Sequence, residues 1–83
     1  MTDPAAIAGI LSKCLKINVT FKGGNFCAHC DCVDSLITLL KNSSIKMTLL
    51  CFDITIFNKG NNKFAITNNG TFIGNIYAVK NDE

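Results

Sequence analysis

The sequence contains no arginine and no tryptophan, and it has one proline and one histidine in 83 residues. Without arginine the chain has no planar guanidinium for two-pronged binding of carboxylate or phosphate. One histidine, with no Ser-His-Asp pattern, phosphate loop or paired carboxylates, leaves little machinery for catalysis, so we do not expect an enzyme. No apolar run reaches about 18 residues, and no membrane span is therefore predicted.

Cysteine is present in an unusual number for so short a chain. The opening residues MTDPAAIAG lack the basic segment and long apolar core of a secretory signal peptide, which favours a reducing setting with free thiols. An odd count also argues against a complete disulfide framework. The five cysteines are Cys14, Cys27, Cys30, Cys32 and Cys51.

The stretch 25–34, NFCAHCDCVD, raises the question of a metal site. Its candidate ligands are Cys27, His29, Cys30 and Cys32. If the stretch is a strand, successive side chains point to opposite faces, so these four cannot converge on one ion. A zinc site also usually draws on two separated ligand pairs, and no second CxxC pair exists here. We therefore expect no metal or cofactor, and we interpret the cysteines as small apolar strand residues.

The charge balance is weakly basic, with eight lysines against six acidic residues and a formal charge of +2. This permits contact with nucleic acid but does not argue for it. A single domain of this length buries only about 60–65% of the surface that its unfolded chain exposes. Further support, such as a partner chain, is therefore expected.

The first half of the chain predicts one helix and two strands. Asp3 suits a helix N-cap and Pro4 the first helical position, and an apolar stripe follows at helical spacing. From residue 16 the apolar period changes to two, which predicts a strand over 16–22 and a second over 25–32. The Gly23-Gly24 pair between them indicates a tight turn.

The second half is richer in strand patterns. Residues 34–44, DSLITLLKNSS, alone fit either a helix or a strand, whereas 46–57 alternate strongly. The NNG turn at 68–70 predicts a hairpin over 63–79. Its last strand is apolar on both faces, so it is either covered on both or binds something. One face carries Ile73, Tyr77 and Val79, and the other carries Phe72, Ile76 and Ala78.

The marked residues of 4–57 follow a known order. An alternating strand (Ile17, Val19, Phe21) leads to a turn glycine, Gly23, and then to Asp34, Leu36 and Thr38. Leu49 and Leu50 then precede Cys51, Asp53 and an apolar strand. This order resembles the two motifs of the Sm/LSm family. A second register places 59–62, KGNN, at the later motif and lengthens the connection, and we favour the first.

The resemblance implies a mainly β fold. It consists of a short N-terminal helix and a strongly bent five-stranded Sm-like small barrel over residues 1–57, with 34–40 as part of the third strand. Residues 58–83 have no counterpart in the family. They are expected to form a β-hairpin extension packed on the same domain.

The resemblance also identifies equivalents of the family's RNA site, namely Asp34, Leu36, Thr38, Leu50, Cys51 and Asp53. Thr38 stands where RNA-binding members have Asn, and Leu50 stands where they have Arg. The uridine site is therefore expected to be degenerate. In this the chain is similar to the Sm-like Gemin subunits of the SMN complex.

That similarity implies a non-enzymatic assembly subunit of spliceosomal snRNP assembly, in cytoplasm and nucleus. It would pair with another Sm-like protein, and with a larger SMN-type complex, through exposed sheet edges. Direct RNA binding would be weak or absent. The edge residues would be Met47, Leu49, Ile54, Ile56 and Phe57.

Three alternatives remain open. An LSm-type RNA-binding ring would use lysines for phosphate contacts, with Lys22, Lys41, Lys46 and Lys59 as candidates. A small thiol or zinc module would use the segment 27–32. The hairpin 63–79 could also fold back and cover one of the sheet edges.

Overall fold

The computed structural model describes residues 3–42 and 45–81. Residues 1–2 and 43–44 of the predicted Sm-like domain, and residues 82–83 of the predicted extension, lie outside the described residues. Two helices and six strands follow one another along the chain. They are α1 (Pro4–Leu15), β1 (Asn18–Lys22), β2 (Asn25–Cys30), α2 (Val33–Asn42), β3 (Ile45–Leu49), β4 (Phe52–Gly60), β5 (Lys63–Asn68) and β6 (Thr71–Lys80).

The first helix has the boundaries that its sequence predicts. The Asp3 carboxylate accepts a hydrogen bond from the Ala5 backbone N–H at 3.1 Å, and Pro4 occupies the first turn. This cap satisfies one of the amides that a helix start leaves unpaired. Lys16 ends the helix in a left-handed conformation, with its N–H bonded to the Ser12 carbonyl at 2.9 Å.

The hairpin turns explain two of the strand connections. Gly23 and Gly24 have φ values of 60° and 82°, and Asn69 and Gly70 have 53° and 81°. Positive φ at both central residues is the requirement of the type I′ turn, which matches the twist of the flanking strands. Glycine and asparagine meet that requirement with little strain. The predicted turns at 23–24 and 68–70 therefore form as expected.

All six strands belong to one strongly curled half-barrel sheet in the order β1-β2-β6-β5-β4-β3. β6 lies between β2 and β5. It pairs with β2 in parallel, with Phe26 opposite Ile76, and with β5 in antiparallel fashion. The other neighbours are antiparallel hairpins. Among the described residues, β1 and β3 are consequently the edge strands.

The segment 33–42 is a helix, so the predicted third strand at 34–40 is wrong. Leu36 and Leu40 are buried on α2, and Val33 and Ile37 pack against the same core. Their spacing of three and four residues is the helical pattern. The expected five-strand barrel is therefore replaced by a six-strand sheet with a helix in the connection between β2 and β3.

The sheet has one covered face and one open face. The covered face and the two helices share the core, in which Ile7, Leu11, Phe26, Ile54, Phe64, Ile66 and Ile76 are almost fully buried. We call the opposite side of the sheet the open face. By strand alternation and register it carries Cys27, His29, Thr55, Phe57, Ala65, Thr67, Phe72, Asn75 and Tyr77.

The C-terminal hairpin is central to the sheet. β5 and β6 occupy its two middle positions, and the expected boundary between residues 57 and 58 falls inside β4. Gly74 of β6 lies so close to the β1–β2 turn that an added Cβ would stand 3.0 Å from the Gly24 carbonyl oxygen. The hairpin thus joins the N-terminal strands to the rest of the sheet.

A serine links α1 to the first edge strand. The Val19 N–H donates to Ser12 Oγ at 2.8 Å, and the Ser12 hydroxyl lies 2.9 Å from the Ala8 carbonyl and 3.2 Å from the Val19 carbonyl. The outward-facing backbone groups of Val19 are thereby satisfied within the molecule. This contact blocks the β1 edge at Val19.

We expect Ser12→Ala to lower the free energy of unfolding by about 1–2 kcal/mol, because it removes the acceptor of a shielded N–H. The better helix propensity of alanine offsets part of that loss. Urea denaturation of the variant measures the change. Lys13→Ala, one exposed position along the same helix, should stay within about 0.5 kcal/mol of the parent. Equal effects of the two substitutions would contradict the role given to Ser12.

Candidate functional site

Three predicted RNA-site residues lie on α2 rather than along a strand. Asp34 and Thr38 are exposed and four residues apart, so they share one side of the helix. Leu36 is buried against the sheet and is unable to lie beneath a nucleotide base. The structure therefore does not arrange these three side chains on one strand, as the resemblance requires.

The other three predicted RNA-site residues lie at the β3–β4 turn. Leu50 and Cys51 form the turn, and Asp53 is the second residue of β4. The Asp53 N–H donates to Asn68 Oδ1 at 3.0 Å, and its carbonyl accepts from the Asn69 N–H at 2.9 Å. Asn69 Nδ2 also donates to the Cys51 carbonyl at 3.3 Å. These bonds hold the turn in place against the β5–β6 turn.

The thiol-rich segment divides between the two faces, as strand alternation predicts. Cys27 and His29 lie half-buried on the open face, whereas Cys30 is buried on the covered face. Cys32 lies beyond the strand, at the start of α2. Within residues 3–42 and 45–81 no group of three or more Cys, His, Asp or Glu side chains is placed to hold a metal ion.

Cys32 is the N-cap of α2, a role that alternation alone did not predict. Its carbonyl accepts from the Leu36 N–H at 3.3 Å, and its Sγ lies 3.1 Å from Ser35 Oγ. The hydroxyl and N–H of Ser35 lower the pKa of this exposed thiol by stabilising its thiolate. Burial, and then the nearby Cys32 and Asp31, raise the pKa of Cys30.

The β3 edge adjoins an apolar groove of about 450 Å³. Cys14 and Leu15 at the end of α1 line one side, and the five residues of β3 line the other. Met47 is buried at the base, whereas Leu49 is 47% and Leu50 is 90% exposed. Two of the predicted edge residues, Met47 and Leu49, therefore lie on a strand that has a sheet neighbour on one side only among the described residues.

The remaining predicted edge residues lie in the interior of the sheet. Ile54, Ile56 and Phe57 belong to β4, which pairs with β3 on one side and β5 on the other. The expected open edge at 53–57 is thus wrong for this strand. The C-terminal hairpin covers it, which is the alternative in which residues 63–79 fold back on a sheet edge.

Sequence reasoning missed the shared position of Phe72 and Tyr77. Strict alternation places them on opposite sides of β6, but the β5–β6 register shifts between Ile66 and Thr67. This irregularity sets Phe72 opposite Thr67, on the open face with Tyr77. The only signal in the sequence was that β6 is apolar on both sides.

Comparisons of the chain with known protein families, with curated proteins and with solved structures find no match. Among the described residues, neither helix is long and apolar enough to cross a membrane.

We expect Cys32 to be alkylated by iodoacetamide before Cys30. The thiolate is the nucleophile, and a lowered pKa gives a larger thiolate fraction at a given pH. The pH–rate profile of Cys32 should therefore lie on the acidic side of an ordinary cysteine, and Ser35→Ala should shift it to higher pH. Mass-spectrometric mapping of the labelled cysteines over a pH series tests both statements. Faster labelling of Cys30, or an unchanged profile in Ser35→Ala, would refute this interpretation.

Proposed function

We propose that this protein is a non-enzymatic assembly subunit that binds another protein by strand addition to β3. The observation that carries the proposal is the open edge of β3 beside an apolar groove. Unpaired N–H and C=O groups on an edge strand form a template for a strand of another chain. Alternate side chains of that strand would enter the groove next to Leu15 and Met47.

β3 has few of the features that usually protect an edge. It contains one charged residue, Lys46, and no proline, and its pairing with β4 shows no bulge. Short edges are commonly protected by charges, prolines or bulges. β1 differs, because Ser12 occupies the outward-facing groups of Val19. Ser12 therefore covers part of the β1 edge, whereas β3 has no such contact among the described residues.

Leu50 supports the same surface. It has a φ of 55° and is 90% exposed at the end of β3. The left-handed conformation costs a non-glycine residue about 1–2 kcal/mol. Within the described molecule the exposed side chain gains little packing in return. Backbone strain of this kind is concentrated at functional positions. A partner bound at β3 would bury the Leu50 side chain and so offset the strain.

The Sm-type form of this proposal stays a prediction. It describes a subunit like the seventh Gemin that pairs with an Sm-like protein during snRNP assembly. The motif spacing around Leu49–Asp53 and the edge position of β3 support it. The helix at 33–42 removes the strand on which the first motif depends. We therefore base the proposal on the edge and not on the family.

Leu49→Lys should abolish partner binding and leave the fold intact. A charge on an apolar edge strand discourages strand addition, and Leu49, the last residue of β3, is already 47% exposed. The measurement is the mass of the tagged protein purified from its native cells, by light scattering. We expect a stoichiometric complex for the parent and a monomer for Leu49→Lys.

The matched control for that experiment is Asn18→Lys, which adds the same charge to the blocked edge β1. It should leave the complex unchanged. In the complex, amide hydrogen exchange should slow at 45–49 and not at 18–22. The proposal would be contradicted if the unsubstituted protein purified as a monomer. It would also be contradicted if Leu49→Lys and Asn18→Lys weakened the complex equally.

Leu50→Gly should raise stability and weaken binding at the same time. Glycine removes the strain of the left-handed conformation, but its greater freedom in the unfolded state offsets part of that effect. The free energy of unfolding should therefore rise by about 0.5–1 kcal/mol. The partner would lose an apolar contact, so its affinity should fall. Urea denaturation measures the change in stability, and titration with the co-purified partner measures the change in affinity. Asn62→Gly, at another positive-φ turn, should change neither much. A destabilised Leu50→Gly with normal binding would contradict the role of Leu50.

A further inference from the structure

The open face carries three exposed aromatic rings. Phe57, Phe72 and Tyr77 are 40%, 54% and 41% exposed. Phe57 belongs to β4 and the other two to β6, with β5 between them. On this face the strand between contributes Lys63, Ala65 and Thr67. Ala65 is fully buried beneath its neighbours, so the larger side chains of β4 and β6 form the accessible surface here.

The spacing of the rings suits a ligand with several flat groups. Neighbouring strands lie about 4.8 Å apart, so Phe57 stands about 10 Å from the β6 backbone. Thr67 opposes Phe72, and Lys63 lies level with Tyr77, so the Cα atoms of Phe72 and Tyr77 are separated along the strand by about four residues of β5, or about 14 Å. One base is too small to contact all three rings. A ligand that uses them must present successive flat groups along a chain.

The charges around the rings are almost all positive. Lys22, Lys46, Lys59 and Lys63 project from the open side of the sheet, by strand register and ring contact, and Asp53 is the one carboxylate that the six strands carry. Half of the eight lysines are therefore on this face. A second copy of the same face would meet like charge, which disfavours self-packing. An anionic ligand is favoured instead.

Lys59 and Phe72 show the two features at one point. The Lys59 ammonium lies 5.6 Å from the centroid of the Phe72 ring. Because the ammonium lies over the face of the ring, a base that stacks on that face takes its place, and the displaced ammonium then pairs with the phosphate of the same nucleotide. Stacking platforms flanked by basic side chains are the common means of binding unpaired nucleotides.

We propose that the open face binds single-stranded nucleic acid, with bases stacked on Phe72, Tyr77 and Phe57 and phosphates held by the surrounding lysines. The unpaired base is required because the faces of bases in a duplex are stacked on one another. The three rings lie outside the β3 edge and outside the degenerate Sm-type positions, and Lys46 is the one lysine of this face that belongs to β3. RNA and DNA share the chemistry, and the experiment distinguishes them.

The test is fluorescence anisotropy of the full chain with labelled short oligomers of uridine and of thymidine, and with a labelled duplex. Titrations run from about 50 to 200 mM salt, where phosphate contacts lose affinity steeply. Phe72→Ala removes a ring, and Leu39→Ala, which truncates a similarly exposed apolar residue on α2, is its control. Lys59→Gln and Lys63→Gln remove charges from the face, and Lys13→Gln removes one from α1. Circular dichroism checks that every variant is folded.

We expect single strands to bind and the duplex to bind at least tenfold more weakly. Phe72→Ala should weaken single-strand binding about fivefold or more, as loss of one stacked base does. Phe72→Tyr should restore it. Each lysine substitution on the face should reduce the slope of log affinity against log salt concentration by about 0.7. Preference for uridine or for thymidine oligomers identifies RNA or DNA as the ligand, and either supports the proposal.

Four results would overturn it. They are an absence of single-strand binding at the lowest salt, equal binding of the duplex, equal effects of Phe72→Ala and Leu39→Ala, and equal effects of Lys59→Gln and Lys13→Gln. Displacement of the oligomer by polyglutamate at the same charge concentration would also overturn it, because it would indicate an acidic protein as the ligand. The Leu49→Lys variant should bind the oligomers normally, so failure at this face and failure at the β3 edge are distinguishable.

Discussion

The structure depends on the position of β6 between β2 and β5. This one strand pairs in parallel with the N-terminal hairpin and in antiparallel fashion with β5, so it joins both halves of the chain into a single sheet. A parallel pair needs a long connection, and here that connection contains α2 and the strands β3 to β5. Both edges of the sheet, and therefore every surface considered for binding, follow from that insertion.

The two edges show how a small sheet distinguishes a closed side from an open one. Ser12 uses one hydroxyl to satisfy the outward-facing groups of Val19, and β1 needs no partner there. β3 has no such contact among the described residues, and Leu50 stands exposed in a strained conformation at its end. An 83-residue chain has a high ratio of surface to core, so a partner strand on β3 would also supply stability.

Local patterns predicted α1, the glycine turn and the C-terminal hairpin, because caps and positive-φ turns act within a few residues. The same kind of pattern was present at 33–42. The helical period is followed by Val33, Leu36, Ile37 and Leu40. The resemblance to the Sm motifs nevertheless led to the prediction of a strand in this segment. The local period proved the better guide, since it reflects the face that each residue buries. The bulge that turns Phe72 to the open face left no mark in the sequence, because it depends on pairing with β5.

By itself the sequence determined which segments extend and where they turn, and it determined that the cysteines of 27–30 alternate between two faces. Those properties arise from side-chain period and backbone sterics, which each short segment carries with it. The tertiary structure alone decided that β3 became an edge, that β4 was covered, and that lysines from four strands gathered around three rings. Strand order sets these neighbours, and strand order is chosen by the burial of the whole core and not by any one segment.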